Sequence, residues 1–188
     1  SSRTKALFAG GYSPGSVNTV STCIFASTGN TSDYSDLSVS RFAPVGLSNQ
    51  TRALFAGGGP SNSSNNGINV IDYFTISAGG TVQDFGDLNT GMWGGMSCAS
   101  SVRGVLGGGI AAPGTATNII DYVTISTTGN AQDFGDFNGL WYTGAFSSNA
   151  TRGVFGGGNY GGSSANNIEF LTIASTGNAK DFGDLSIA

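Results

Sequence analysis

Histidine is absent from this sequence, and charged residues are scarce. Histidine is the side chain that most often serves as a general base and as a metal ligand, so its absence removes the commonest routes to acid–base and metal catalysis. Charged residues make up 10% of the 188 positions, against roughly 25% in typical soluble domains. Ser, Thr, Asn and Gly must therefore cover most of the surface.

Basic residues number only seven, against eleven acidic ones. A nucleic-acid or anionic-membrane partner requires a basic patch, which seven scattered Lys and Arg residues do not form. The sequence also lacks an apolar run of about 18 residues, the length that a helix needs to cross a bilayer. We therefore predict no nucleic-acid partner and no membrane insertion.

Cysteine occurs twice, as Cys23 and Cys98. The two positions lie in different sequence repeats and are not equivalent within them, which argues against a structural disulfide. We expect two separate thiols that pack as small apolar side chains.

The sequence contains four copies of one repeat unit. Each copy opens on a basic residue and a glycine-rich segment, and these openings are spaced by 47, 51 and 49 residues: KALFAGG from Lys5, RALFAGG from Arg52, RGVLGGG from Arg103 and RGVFGGG from Arg152. A second segment reads NTVSTCIF, NVIDYFTI, NIIDYVTI or NNIEFLTI, and a third reads SDYSDL, QDFGDL, QDFGDF or KDFGDL. Such a period is the signature of a repeat architecture. We place the units at about 1–47, 48–98, 99–147 and 148–188, in a single domain 1–188.

Each unit predicts short β-strands, because β-branched and aromatic runs are bounded by clusters of Gly, Asn and Ser, and no helical period is present. We name the strands a (YTGAFSS at 142–148), b (ALFAGG), c (VIDYFTI) and d (QDFGDL). Strand c is apolar on both faces, which predicts a sheet that is covered on both sides.

Four strands in about 50 residues, with a double glycine closing strand b, resemble the kelch repeats of β-propellers. The glycine pairs are Gly10 and Gly11, Gly57 and Gly58, Gly107 and Gly108, and Gly156 and Gly157. The resemblance covers essentially the whole chain and implies an all-β propeller with four antiparallel strands in each blade. Strands c and d depart from the standard kelch pattern, because Tyr or Phe and the DFGDL segment replace the later Tyr and Trp.

The sequence motifs of the repeats resemble those of kelch-like arrays in structural and tail-fibre proteins of tailed bacteriophages. These motifs are RGVFGGG, IDYxTI, TGNA and DFGDL, in that order. That resemblance implies a virion or extracellular location.

Strand a occurs only three times, near 43–49, 94–100 and 142–148, whereas b, c and d occur four times. One blade is therefore expected to lack its innermost strand. Either the chain is a window cut from a longer array, or its ring is closed by a strand supplied from elsewhere. The number of blades in the ring stays open.

Every unit places a basic residue before strand b and an aspartate at the start of strand d, on the same rim of the predicted propeller. We predict inter-strand or inter-blade ion pairs between these two sets. The sets are Lys5, Arg52, Arg103 and Arg152, and Asp33, Asp84, Asp133 and Asp181. DFGD lacks the DxDxDG spacing that wraps a calcium ion, so we predict no metal.

The repetition of DFGD also argues against catalysis. The DFG aspartate of a protein kinase occurs once, and the HRD motif is impossible without histidine. Paired carboxylates leave a glycan-cleaving propeller enzyme as an alternative, but an active site normally breaks internal symmetry. We predict no catalytic residue and no cofactor.

The opposite rim carries loops that differ between units, and such loops are where function is usually placed. Its b–c loops are 12–17, 59–68, 109–117 and 159–165, and its d–a loops carry aromatic residues. The candidate ligand-binding residues are Tyr12, Phe42, Trp93, Trp141, Tyr142 and Tyr160. Aromatic side chains of this kind suit stacking on sugar rings. The alternative is that Trp93 and Trp141 fill gaps between blades.

The sequence thus predicts a non-catalytic binding or structural module that recognises a host surface or a cell-surface glycan through the aromatic rim. The alternative is a purely architectural protein that docks to copies of itself or to other virion, fibre or capsid proteins.

Overall fold

The computed structural model describes residues 4–60, 66–160 and 163–186. Within these ranges the chain forms nineteen strands and no helix, so the all-β prediction is confirmed. The described part of the chain accordingly offers no helix long and apolar enough to cross a membrane.

The strands form antiparallel sheets that follow the repeats. Sheet 1 has three strands: β1 (Lys5–Ala9), β2 (Thr19–Ile24) and β3 (Ser32–Asp36). Sheet 2 has four: β4 (Val45–Ser48), β5 (Arg52–Ala56), β6 (Val70–Thr75) and β7 (Gln83–Asp87).

The third repeat forms the centre of the largest sheet. Its strands are β8 (Met92–Trp93), β9 (Met96–Ala99), β10 (Arg103–Gly107), β11 (Ile110–Ala111), β12 (Thr115–Thr124) and β13 (Gln132–Tyr142). The fourth repeat contributes β14 (Ala145–Ser148), β15 (Arg152–Gly156), β16 (Asn159–Tyr160), β17 (Ser163–Ser164), β18 (Asn167–Thr172) and β19 (Lys180–Asp184). Sheet 3 has the order β9-β10-β12-β13 with β16 and β17 added at its edge, and sheet 4 has the order β14-β15-β18-β19.

The predicted order a-b-c-d within a repeat is confirmed. Strands β4, β9 and β14 are the three copies of strand a, and each pairs with the strand b that follows it. Strand c lies between strands b and d in every sheet. The short strands β8, β11, β16 and β17 were not predicted, because they form inside the loops.

Strand d carries a bulge at the DFGD segment. Opposite strand c the register shifts between Ile71 and Asp72, and again at the equivalent places in sheets 3 and 4 and in sheet 1, where a serine stands in place of the glycine. Gly86 takes up the bulge with φ of +137°, a conformation that side chains disfavour. The phenylalanine before it, Phe85, is buried, and the carboxylate of Asp84 accepts a hydrogen bond from the Gly86 N–H at 3.1 Å.

The a–b turns are held by a side chain at their first position. Asn49 Oδ1 accepts hydrogen bonds from the N–H groups of Thr51 and Arg52, both at 2.8 Å. Asn149 does the same in sheet 4, and Ser100 Oγ accepts the Arg103 N–H in sheet 3. The SNQT and SNAT segments are therefore turns of the type that asparagine favours.

The apolar core lies between the sheets. One cluster joins sheets 2 and 3, where Leu54 and Phe85 pack with Leu106. Further clusters join sheets 3 and 4 and sheets 1 and 2. On strand c of sheet 2, Ile71 and Phe74 are both buried although they belong to different clusters. The prediction that strand c is covered on both faces is thus confirmed for this sheet.

The inner strands gather along one side of the stack, where β9 lies beside both β4 and β14. Ser97 Oγ of β9 donates a hydrogen bond of 2.8 Å to the Gly46 carbonyl of β4. The sheets of residues 4–60, 66–160 and 163–186 do not close into a ring of four-stranded blades: sheet 1 has three strands there, and sheets 1 and 4 each leave one face open. Beside β1, which is the edge of sheet 1, lies a cleft of about 400 Å³ lined by Lys5, Leu7, Phe25 and Leu47 among others.

Glycines at equivalent bulges allow the packing of two sheets to be tested. A Cβ at Gly135 would lie 2.6 Å from the Gly177 carbonyl carbon of sheet 4, whereas a Cβ at Gly183 would meet nothing within 4 Å. Both backbones are alike, with φ of +141° and +137°, so each alanine costs about 1–3 kcal/mol of backbone strain. Because only the first alanine also separates two sheets, Gly135→Ala should lower the melting temperature more than Gly183→Ala. Equal shifts would contradict the packing of sheet 4 on sheet 3.

The two cysteines are both free, and they should differ in reactivity. Cys98 is buried, and burial raises the pKa of its thiol to about 12, while Cys23 is half-buried at the surface. Because the thiolate is the reactive form, a disulfide-forming thiol reagent at pH 8 should modify one cysteine in the native protein and two in denaturant. A Cys23→Ser variant serves as the control and should show no fast reaction. Two fast thiols in the native protein would contradict the burial of Cys98.

Candidate functional site

Three of the predicted rim residues form a continuous aromatic row. The rings of Tyr12 and Phe42 meet edge to face with centroids 6.1 Å apart, and the rings of Phe42 and Trp93 are 5.2 Å apart at 57°. Tyr12 is exposed, and the other two are half-buried. The row spans from the b–c loop of sheet 1 to the loop that enters sheet 3, and we call these three residues the aromatic row.

The backbone beneath the row has an unusual conformation. Ala43, Gly94 and Thr143 occupy equivalent places after Phe42, Trp93 and Tyr142, with φ of +47°, +66° and +56°. The Gly94 N–H donates to the Ala43 carbonyl at 3.1 Å, and the Thr143 N–H donates to the Gly94 carbonyl at 2.9 Å. Residues other than glycine reach this conformation only at a cost, and such residues persist where the surroundings hold them. These bonds therefore fix the spacing of the aromatic side chains.

The b–c loops support the row from the other side. Phe42 forms an antiparallel bridge with Gly59, Trp93 pairs with Ile110, and Trp141 pairs with Tyr160. The two sets of loops therefore lie on the same rim. The row rests on paired backbone and not on isolated loops.

Trp141 is not part of the exposed surface, which corrects one of the candidate ligand-binding residues. Its side chain is 2% exposed, and its Nε1 donates a hydrogen bond of 3.1 Å to Glu169 Oε1. It fills the junction of sheets 3 and 4, as the alternative interpretation held. Tyr142 is half-buried at the far end of the rim. Tyr160 lies in β16, and its side chain falls outside the described part of the structure.

The basic residues at the start of strand b make contacts other than the predicted ion pairs. The Arg52 guanidinium lies over the Tyr73 ring at 4.5 Å, and its Nη1 donates to the Ile125 carbonyl of sheet 3 at 3.0 Å. Arg103 repeats both contacts, over Tyr122 and with the Ile173 carbonyl of sheet 4.

Four of the remaining members of the predicted charge sets lie near aromatic or backbone groups. Arg152 lies 4.4 Å from the centre of the Phe170 ring, and the Lys5 amine lies 5.9 Å from the centre of the Tyr34 ring. Asp181 accepts the N–H of Gly183, as Asp84 does in its own strand, and Asp33 and Asp133 are exposed. Arg52 and Arg103 therefore link successive sheets, through an aromatic ring of their own sheet and a backbone carbonyl of the next.

A buried ion pair is formed by a different acidic residue, Asp72, which sequence reasoning did not single out. Asp72 in strand c is buried, and its Oδ2 lies 2.5 Å from Nη2 of the buried Arg41. It also accepts hydrogen bonds from the N–H and the hydroxyl of Ser38. Burial lowers the pKa of Arg41, and Asp72 opposes that shift. This pair lies directly beneath Phe42, the neighbour of Arg41 in the chain.

Sheets 3 and 4 also have a buried carboxylate at this position of strand c, and each of these carboxylates has different partners. Asp121 accepts the Nδ2–H of Asn89 at 2.7 Å and its backbone N–H at 3.2 Å. Burial raises the pKa of Asp121, and the hydrogen bonds of Asn89 act against that rise. Glu169 accepts from Trp141 and from the Asn138 N–H. The signal for these residues was an acidic residue in the middle of three otherwise apolar strands c.

The donors to the buried carboxylates therefore come from the stretch of chain that leads from the preceding sheet into the carboxylate's own sheet. No group of three or more Cys, Asp and Glu residues in the described ranges is arranged to hold a metal ion. No protein-family model matches the sequence, and a search of curated proteins found no significant match.

Removal of one partner of the Arg41–Asp72 pair should destabilise the protein strongly. Asp72→Ala leaves a buried guanidinium without its counter-ion, a change that costs about 3–5 kcal/mol. The Arg41→Met, Asp72→Ala double variant should recover part of that loss, because it also removes the guanidinium that Asp72→Ala leaves without a counter-ion. The Arg41 Nε already lacks a partner in the described structure, so its removal costs no hydrogen bond. Denaturant unfolding of the four proteins of this cycle gives the coupling.

The exposed Asp84→Asn change is the control, and it should alter the free energy of unfolding by less than about 0.5–1 kcal/mol. A double variant that is as unstable as both single variants combined would contradict the pairing.

Proposed function

We propose that the chain is a non-catalytic glycan-binding module of kelch-like β-propeller type, in which the aromatic row contacts the sugar. The observation that carries the proposal is the contiguous row of Tyr12, Phe42 and Trp93 on loops that differ between otherwise matching repeats. Function on a repeat scaffold is expected where the repeats diverge.

The chemistry of the row favours a neutral sugar. Aromatic rings pack on the apolar face of a sugar ring, and the Tyr12 hydroxyl adds a hydrogen-bonding group. The segments that carry the row, 12–17, 42–45 and 90–95, contain no charged residue, and the neighbouring Arg41 is buried against Asp72. A ligand that depends on a carboxylate or a phosphate would find no exposed cation in these segments.

The arrangement of the sheets supports the propeller. Four sheets follow one another in chain order, they pack face to face, and their inner strands gather on one side. The cleft beside β1 lies where the described part of sheet 1 has no strand that corresponds to β4. We propose that a strand from elsewhere adds to the edge of β1 there, in the manner of strand addition to an open sheet edge.

The absence of chemistry is supported by the use of the acidic residues. Asp72, Asp121 and Glu169 are engaged between sheets, so they serve the scaffold in every repeat that contains them. The location on a virion or another extracellular surface, and partners among virion or fibre proteins, follow from the resemblance of the repeats and belong to the same proposal.

A second candidate function is architectural, with docking to copies of the chain or to fibre or capsid proteins. It is favoured by large apolar side chains that remain exposed on the two terminal sheets, among them Phe8 and Phe182. The two functions are compatible, because the aromatic row and these faces are different surfaces.

A glycan array tests the proposal with the native chain and with Trp93→Ala and Tyr12→Ala. Both substitutions remove a ring from the row, so we expect the binding of neutral glycans to fall at least tenfold. Phe146→Ala is the matched control, because Phe146 is an exposed aromatic residue on β14 outside the row. Trp141→Phe should lower the melting temperature and leave binding intact at temperatures where the protein is folded. An array without signal, or equal loss in Phe146→Ala, would contradict the proposal.

A further inference from the structure

Sheet 1 leaves open the face that points away from sheet 2, and we call this the first outer face. Phe8 on it is 56% exposed, and Phe25, at the edge of the same sheet, is 62% exposed and also lines the cleft beside β1. The residues at their positions in sheets 2, 3 and 4 are all buried against the preceding sheet: Phe55 and Ile76, Leu106 and Ile125, and Phe155 and Ile173. The first outer face is therefore built like an internal junction.

Sheet 4 leaves open the face that points away from sheet 3, and we call this the last outer face. Phe182 and Leu185 on it are 54% and 42% exposed. Their equivalents, Phe85 and Leu88 in sheet 2 and Phe134 and Phe137 in sheet 3, are buried against the following sheet. A terminal repeat that ends a stack has a polar outer surface, and neither terminal sheet here has one.

A polar clasp accompanies the apolar contact at two internal junctions. At the junction of sheets 2 and 3, the Gly129 N–H donates to the Phe85 carbonyl at 2.7 Å and the Ala131 N–H donates to the Asp87 carbonyl at 2.8 Å. Asn130 Oδ1 accepts the Asp87 N–H at 3.1 Å. A c–d turn of the later sheet thus binds the DFGD strand of the earlier one.

The junction of sheets 3 and 4 repeats these three bonds. The turn Gly177, Asn178 and Ala179 binds Phe134 and Asp136 at 2.7, 2.8 and 3.1 Å. The two clasps are therefore equivalent in both partners.

The junction of sheets 1 and 2 is different in both partners at once. Ser35 replaces the bulge glycine of strand d, and Thr81 replaces the asparagine of the turn. Here the Ser35 hydroxyl donates to the Gly80 carbonyl, and Gly80 has φ of +62°. A glycine in the strand thus goes with an asparagine in the turn, and a serine goes with a threonine.

The two outer faces carry the two halves of the glycine–asparagine clasp. The turn of sheet 1 reads Gly29, Asn30 and Thr31, and Gly29 has φ of +150°, close to the +151° and +144° of Gly129 and Gly177. The strand of sheet 4 reads DFGD, and Gly183 has φ of +137°. Each half is formed, and each lies on an open face.

We propose that the last outer face of one copy of this chain binds the first outer face of a second copy, head to tail, as sheets 2 and 3 bind within the chain. In this contact Asn30 of the second copy accepts the Asp184 N–H of the first, and Phe8 covers Phe182 and Leu185. The inference does not depend on glycan binding. Such a contact is heterologous, so successive copies form a ring or a filament.

The contact between copies should be weaker than the internal junctions. Ser21 stands where sheets 2, 3 and 4 have the buried carboxylates Asp72, Asp121 and Glu169. The polar link that supplements the apolar contact inside the chain is therefore missing at the first outer face. Association should accordingly increase with protein concentration.

Sedimentation velocity over a range of concentrations tests the proposal with single-face variants. Phe8→Asp blocks the first outer face and Phe182→Asp blocks the last one, and both side chains are exposed, so the fold should be retained. Each variant alone should stay monomeric where the native chain associates. An equimolar mixture should form a one-to-one complex and nothing larger, because each variant keeps the face that the other has lost.

Phe146→Asp is the control for an exposed aromatic residue on neither outer face, and it should associate like the native chain. Asn30→Ala removes the side-chain bond of the clasp without changing an apolar residue, and it should weaken association several-fold. A native chain that is monomeric at every concentration overturns the proposal, whether its outer faces stay open or meet within one chain. Single-face variants that still self-associate, or a mixture that stays monomeric, overturn it as well.

Discussion

The burial of apolar side chains between successive sheets is the constraint on which the rest of this structure depends. A sheet of three or four strands cannot bury its own faces, so each one gains stability only from a neighbour. Strand c is apolar on both sides for that reason, and Ile71 and Phe74 of one strand belong to different clusters. The glycines of strands b and d serve the same end, because a Cβ at Gly104 or at Gly135 would strike the preceding or the following sheet.

The polar contacts at the junctions connect this scaffold to the candidate site. A buried carboxylate in strand c accepts hydrogen bonds from the loop that enters its own sheet, and the same loop carries Phe42 or Trp93 on its outer side. The rings therefore lie close in the chain to the donors of the buried carboxylates, because Phe42 directly follows one donor, an arginine, and Trp93 follows another, an asparagine, by four positions. Because the loops are held from below and are bonded to each other through Ala43, Gly94 and Thr143, the aromatic row is a fixed surface. Its variation between repeats does not disturb the sheets.

Several residues of the candidate site could not be assigned from the sequence, for reasons that are physical. Trp93 and Trp141 occur in similar loops, yet one is part of the aromatic row and the other is buried with its indole N–H bonded to Glu169. They differ by one position relative to the following arginine, which reverses the side of the strand on which each side chain lies. The contacts of Arg52 could not be assigned from the sequence for a related reason. Its guanidinium contacts the Tyr73 ring of its own sheet and a backbone carbonyl of the next sheet, and neither partner is visible in a charge pattern.

The sequence by itself determined the all-β class, the four repeats, the order of strands within them and the shortage of one strand a. These features depend on local periodicity, on turn residues such as Asn49 and on glycine conformations, all of which operate over a few positions. Only the tertiary structure decided which sheets meet, that Asp72 takes Arg41 as its partner and that the terminal sheets remain open. Those outcomes depend on contacts between residues about 30 or more positions apart, where the direction of each side chain and the depth of each charge are set by packing.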